Sequence, residues 1–219
     1  MKRTRRISDA MKTLLKTVDR QLTACYGVPA CPLVHSDPYQ LLVAVILSAQ
    51  CTDKRVNALT PALFRRYPNL LSMAEAEPEQ VMALIKSAGC FRVKARHIIG
   101  SCRKILTAFQ GKIPDSMAEL TTLPGVGRKS ANVLLGNAFG KPGFPVDTHV
   151  IRVLNRLGAV DSRNPVQIEM VVNRALAPAR WTEFSHLLIN HGRRRCSARR
   201  PDCGHCELRN YCHFFKTQS

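Results

Sequence analysis

Apolar positions along this chain recur with a helical period almost throughout. Leu14, Leu15, Val18 and Leu22 form one stripe, predicting an N-terminal helix that packs against something distant in sequence. Asp37-Pro38 reads as a helix start, a capping carboxylate followed by proline in the first turn. The helix it opens, through Gln50, is apolar on nearly all faces and is expected to run through the core. Asp53 is expected to cap the next segment, with Thr60-Pro61 kinking or restarting it. Val81, Leu84, Ile85 and Ala88 follow at i, i+3, i+4 and i+7, with Gly89 closing that helix. Ala95, Ile98, Ile99, Cys102, Ile105, Leu106 and Phe109 repeat the pattern up to Gly111. Val150, Val153, Leu154 and Leu157 face inward before Gly158. Asn164-Pro165 opens a helix that ends near Pro178, and Phe184, Leu187, Leu188 and His191 mark the last long one. With no convincing alternating strand and no internal repeat, the expected class is all-α.

Charge narrows the partner. The 219 residues hold 33 Lys and Arg against 15 Asp and Glu, a formal net charge of +18. An excess this large favours a polyanion, nucleic acid first. A membrane is not expected, because the most apolar run, Leu41 to Ala49, is far shorter than the roughly 20 residues a span needs. The basic start, Met1-Lys2-Arg3-Thr4-Arg5-Arg6, lacks the apolar core of a secretory signal and runs straight into a helix, so no targeting is expected. Nine cysteines, odd in number and four of them clustered at the C-terminus, favour a reducing compartment and a metal site over a disulfide framework.

The densest chemistry lies in Leu123-Pro124-Gly125-Val126-Gly127-Arg128-Lys129-Ser130-Ala131. Ser116 to Leu120 reads as one helix and Arg128 to Phe139 as the next, joined by a hairpin that its two glycines make possible. Amides at the start of the second helix have no intrahelical partner and suit a phosphate oxygen. Arg128 and Lys129 put two cations where the helix dipole disfavours them. By itself this is equally an ordinary αα-hairpin with solvated basic residues. A Gly/Pro-rich loop then leads to Val146-Asp147-Thr148-His149, where Asp147 reads as a helix cap. The tail, Cys196-x6-Cys203-x2-Cys206-x5-Cys212, implies zinc or an iron–sulfur cluster, although structural zinc usually takes two close cysteine pairs and only one is present. Arg199 and Arg200 lie inside its first loop and Arg193, Arg194 and Arg195 precede it, so a bound metal would present a rigid phosphate-binding surface. Cys25, Cys31, Cys51, Cys90 and Cys102 have no ligand spacing, and His149 and His191 read as structural.

Taken together, the hairpin L-P-G-V-G-R-K, the V-D-T-H run and the four-cysteine tail resemble the endonuclease III family, over about Leu41 to Cys212. Those are helix-hairpin-helix DNA glycosylases that also cleave abasic sites. The resemblance implies two helical lobes with a DNA-binding cleft between them. A six-helix barrel would span 31–141 and carry the helix-hairpin-helix at about 116–139; 1–30 with 142–219 would form the iron–sulfur lobe. It implies Lys129 as the nucleophile, forming a Schiff base at the sugar, with Asp147 as the catalytic carboxylate. A lysine amine, ordinarily protonated below about 10.4, would be helped towards its neutral form by a first-turn position, Arg128 and partial burial. Further expectations are that Leu123, Gly125, Val126, Gly127 and Arg128 meet DNA, and that Gln50 fills the gap left by a flipped nucleotide. Cys196, Cys203, Cys206 and Cys212 would bind a [4Fe–4S] cluster. The chain departs from the family at Cys90, where a wedge leucine is usual. The implied partner is double-stranded DNA carrying a damaged base, an oxidised pyrimidine foremost, or an abasic site. The protein would be a monomer in the cytoplasm of a prokaryote, associated with the nucleoid. Two other readings stand beside this: a superfamily glycosylase for photoproducts or mismatches, and a non-catalytic iron–sulfur DNA-binding protein. Adenine and mismatch glycosylases of the superfamily generally lack the hairpin lysine, and the non-catalytic reading needs neither Lys129 nor Asp147.

Overall fold

A computed structural model describes residues 7–218, and the basic stretch at 1–6 lies outside them. The described residues are helical, with no strand among them. The chain divides into two compact units, Cys31–Lys141 and the discontinuous pair Met1–Ala30 with Pro142–Ser219.

The discontinuous unit opens with α1 (Asp9–Tyr26), capped by Ser8, and buries Leu15, Val18 and Leu22 completely. The central unit then runs α2 (Pro38–Ser48), α3 (Asp53–Arg66), α4 (Leu70–Ala74), α5 (Pro78–Leu84), α6 (Phe91–Ala108), α7 (Met117–Leu120) and α8 (Arg128–Ala138). As its all-round apolar character predicts, α2 is the core helix: Leu41, Leu42, Val43, Ala44 and Leu47 are fully buried, and α3, α6 and α8 pack around it. The Asp37 carboxylate caps it by accepting from the Gln40 amide at 2.8 Å.

Several boundaries differ from expectation. Thr52, not Asp53, caps α3, because its hydroxyl accepts from the Arg55 amide while Asp53 occupies the first turn. Pro61 neither stops nor restarts α3, which continues to Arg66 with Val56, Thr60 and Leu63 buried around it. Helix α5 ends at Leu84, and the chain continues to Ala88 by a tighter i→i+3 bond, Ala88 amide to Ile85 carbonyl at 2.8 Å. Ile85 and Ala88 stay buried without a further helical turn. The first helix of the hairpin, α7, is a single turn.

After Pro142 the discontinuous unit resumes with α9 (Thr148–Arg156), α10 (Pro165–Ala175), a 3₁₀ turn (Pro178–Arg180), α11 (Trp181–Arg194), a second 3₁₀ turn (Arg209–Tyr211) and α12 (His213–Gln218). Here α10 ends at Ala175, short of the expected Pro178. The distant partners of α1 are α10 and α11. A bidentate pair fixes α1, with Arg180 Nη2 and Nε donating to Asp19 Oδ1 and Oδ2 at 2.8 and 3.0 Å. Its far end is tied to the tail by Tyr26, whose hydroxyl donates to Glu207 at 2.8 Å.

Candidate functional site

In the central unit the hairpin rests on one face of α6. Gly125 has φ +78°, and a Cβ there would lie 2.9 Å from the His97 ring, so glycine is required both by conformation and by space. Ser101 donates to the Pro124 carbonyl at 2.7 Å, Lys104 to the Thr122 carbonyl at 2.9 Å, and Gly100 lies under the Pro124 ring. Residues 97, 100, 101 and 104 share one helical stripe, so α6 presents a cradle for the turn. Sequence reasoning missed these supports. Their signal was a polar interruption (His97, Gly100, Ser101, Lys104) in an otherwise apolar-periodic helix.

The start of α8 is open. Its N-cap, Gly127, makes no side-chain hydrogen bond, and a Cβ built on it would meet nothing within 4 Å. No residue of the chain forbids a side chain at this position, and glycine here leaves the backbone at the start of α8 bare. Gly125, Gly127, Arg128 and Lys129 are exposed. The partial burial expected of Lys129 is not found, because the first turn of α8 projects it into solvent. Leu123 and Val126 are only 2% and 4% exposed, and their amides are bonded to the Leu120 and Leu123 carbonyls. They build the turn from inside and offer a ligand neither side chain nor amide.

Elsewhere in this unit, Gln50 and Cys90 are exposed and adopt positive φ, 52° and 56°, rare for residues with a side chain. Gln50 follows the end of α2 and Cys90 is the N-cap of α6. Lys94, one turn into α6, is 4% exposed and its Nζ has no hydrogen-bond partner. Burial lowers its ammonium below the usual lysine range, partly offset by the Cys51 and Cys90 thiols nearby.

In the discontinuous unit Asp147 caps α9. Its Oδ1 accepts from the His149 and Val150 amides at 2.8 and 2.9 Å, while Oδ2 accepts nothing among the described residues. The loop before it is pinned to α11, with Thr182 donating to the Gly143 carbonyl at 2.9 Å and Ser185 to the Pro145 carbonyl at 2.6 Å. Fully buried Phe144 stacks on Phe184. At the other side of α9, Arg152 donates to the Cys196 and Gly192 carbonyls, both at 2.9 Å, and lies 3.0 Å from His149 Nδ1. A Cβ on Gly192 would lie 2.9 Å from His149, so α9 and α11 meet at van der Waals contact.

Cys196, Cys203, Cys206 and Cys212 line one cavity with Val153, Leu157, Leu208 and Phe214, and all four are free thiols. Burial pushes the Cys206 thiol up to about 11. A cation able to hold these sulfurs as thiolates suits this all-sulfur set. His191, Cys206 and Glu207 also bring one ligand atom each within 4.8 Å of one another. In that trio, though, the Tyr26 hydroxyl already holds the Glu207 carboxylate and lies 3.2 Å from His191. Of the tail arginines, Arg195 is engaged with Asp202 at 2.7 Å and Arg194 stacks on Tyr26, whereas Arg199 and Arg200 are exposed.

A helix-hairpin-helix turn with open amides and a basic first turn, in an all-helical chain that also gathers four cysteines, defines a class of DNA repair proteins. The chain belongs to the HhH-GPD superfamily of base excision DNA repair proteins, whose family profile matches residues 43–178. It is 48% identical to endonuclease III of Synechocystis sp. over 192 residues, 87% of this chain and 88% of that one. Its fold matches a non-covalent endonuclease III–DNA complex with a TM-score of 0.90 at 36% identity, covering 94% of this chain and 97% of that one. A trapped endonuclease III–DNA covalent intermediate matches with the same score and identity, covering 94% and 98%. The protein is a base excision repair enzyme, a DNA glycosylase with abasic-site lyase activity. No helix among the described residues is long and apolar enough to cross a membrane.

Proposed function

We propose that Lys129 is the amine that carries this reaction, acting on oxidised pyrimidines and abasic sites in double-stranded DNA. The carrying observation is the start of α8: an N-terminus with no side-chain cap, an exposed lysine in its first turn and a glycine that leaves the backbone bare. The amides at Gly127 and beyond receive a phosphate of the lesion strand, with Gly125 and Arg128 beside them. The damaged nucleotide is turned out of the stack, at a cost in stacking energy that a damaged base reduces. The neutral Lys129 amine attacks the sugar C1′, and the base leaves with the bonding electrons. The resulting amine–sugar adduct opens to a Schiff base. Loss of a C2′ proton then expels the 3′ phosphate by β-elimination, and water releases the lysine.

Asp147 stabilises the positive charge developing on the sugar and assists proton transfer. The division of labour in its carboxylate supports this, with Oδ1 capping α9 and Oδ2 left for substrate. Gln50 fills the space of the extruded nucleotide. A left-handed backbone at an exposed, non-glycine position is strain of the kind found at functional sites. Cys196, Cys203, Cys206 and Cys212 hold a [4Fe–4S] cluster, whose chemistry here is to crosslink the tail. The exposed Arg199 and Arg200 then face phosphate from a fixed loop. The protein acts as a monomer on nucleoid DNA in the cytoplasm.

Borohydride trapping on an oligonucleotide carrying an oxidised pyrimidine or an abasic site tests this. Wild-type protein is expected to crosslink, and Lys129→Gln to lose the crosslink while retaining DNA binding. Trapping of Lys129→Gln at the wild-type rate would place the nucleophile on another amine. Base release without trapping by wild type would mark a monofunctional enzyme.

A further inference from the structure

Helix α9 ends on Arg156, whose contacts the reaction above does not use. Its Nη1 donates to the Cys196 sulfur at 3.2 Å and to the Ser197 carbonyl at 2.7 Å, and its Nη2 donates to the Ala198 carbonyl at 2.8 Å. The guanidinium carbon lies 4.7 Å from the centroid of the Phe214 ring. At the backbone of the same residue, the Cys212 thiol donates to the Arg156 carbonyl at 3.4 Å. One residue therefore touches the first and last of the four cysteines and two carbonyls of the loop that carries Arg199 and Arg200.

We propose that Arg156 is a positioning residue that tunes the cysteine-bound cluster and clamps the loop presenting Arg199 and Arg200 to phosphate, which rests on the cluster reading above. Its planar fork of donors serves one sulfur and two carbonyls at once, which a lysine ammonium on a flexible stem does not reproduce. Among the described residues no carboxylate pairs with Arg156, so its charge is directed at sulfur. Phe214 holds the plane in place from one face. A hydrogen bond to a ligand sulfur favours the more negative, reduced form of an iron–sulfur centre and so raises its potential. The carbonyls of Ser197 and Ala198 stand immediately before Arg199, so holding them fixes where the two exposed arginines start. Loop geometry and cluster electronics meet in a single guanidinium.

The test compares wild type, Arg156→Lys, Arg156→Gln and Phe214→Leu, purified anaerobically with iron quantified. By protein-film voltammetry the Gln variant is expected to have a lower potential than wild type, with the Lys variant and Phe214→Leu, which loses the ring that holds the guanidinium plane, falling between them. Chelator-driven loss of visible absorption is expected to accelerate about tenfold in the Gln variant, as when a residue that hydrogen-bonds a metal ligand is lost. The slope of log K against log salt for undamaged duplex is expected to become shallower by about 1 to 2, reflecting one or two lost phosphate contacts. A wild-type potential in Arg156→Gln overturns the sulfur contact, and an unchanged salt slope overturns the clamp. Should Arg156→Gln fail to fold, Arg156→Lys carries the same readings, with the same outcomes deciding. Wild-type protein without iron overturns the cluster reading itself, and the salt slope then still decides the clamp.

Discussion

Helices α8 and α9 begin in opposite ways. Helix α9 starts on a carboxylate that accepts two backbone amides, the usual solution for donors left over at a helix start. Helix α8 starts on a glycine with no side chain to accept them, followed by two cations at the positive end of its dipole. The first start is complete within the chain, and even there one carboxylate oxygen is left over. The second has no side-chain cap within the chain, and the phosphate proposed above would complete it. Glycine in place of a carboxylate at an N-cap gives up only about a few tenths of a kcal/mol, so leaving these donors uncapped costs the free protein little.

Removing the amine breaks this comparison hardest. Lys129→Gln is expected to lower borohydride trapping by ~10³-fold or more, as for loss of a covalent nucleophile, measured by single-turnover crosslinking. Asp147→Asn comes next. Asparagine is also a good N-cap, so thermal stability is expected to change by only a few tenths of a kcal/mol. The chemical step is expected to slow by about 10²- to 10⁴-fold. Asp147→Ala loses the cap as well, about 1 kcal/mol by denaturant titration. If Asp147→Asn reacts at the wild-type rate, its role ends with capping.

Gly127→Asp turns α8 into a helix like α9. The backbone at Gly127 is extended, φ −90° and ψ 178°, and its Cβ direction is open, so a capping side chain fits. Stability is expected to rise by about a few tenths of a kcal/mol while affinity for DNA falls, on the order of tenfold. A rise in stability with unchanged binding would mean that the open amides are not a phosphate site.

The smallest effect concerns Lys94, a buried cation in place of an exposed one. Burial holds its folded-state value below the ordinary 10.5. The unfolded chain therefore binds the extra proton between those two values, and stability rises as pH climbs through that window to about 10.5. Lys94→Met is expected to raise the neutral-pH melting temperature by about 1–3 °C and to flatten the alkaline rise, read by thermal melts across pH. A fall in melting temperature would show that the ammonium has a partner after all.

Much of the site was legible because its logic is local. Asp37, Asp147 and Asn164 were identifiable as caps because a carboxylate or amide two or three residues before an amide needs no distant partner. The two hairpin glycines and the basic first turn were readable for the same reason, as was the apolar girth of α2. Less legible were features that depend on distance in the chain. Burial of Leu123 and Val126 follows from packing across the central unit, not from their neighbours. Engagement of Arg195 by Asp202 depends on how the tail folds back. That α3 continues through Pro61 without restarting was not legible, because the buried contacts of Val56, Thr60 and Leu63 outweigh one missing hydrogen bond.

The amino-acid order by itself determined the helical class, the open start of α8, the capped start of α9 and the spacing of the four sulfurs. Each is set by backbone conformation or side-chain reach within a few residues. Only the tertiary structure decided that His97, Gly100, Ser101 and Lys104 of α6 carry the hairpin. It also decided that Asp147 has one oxygen left over, and that Arg156 reaches a cysteine sulfur 40 residues further on. Those contacts join residues far apart in the chain, and a side chain's partner across such a gap is chosen by packing, which no local pattern encodes.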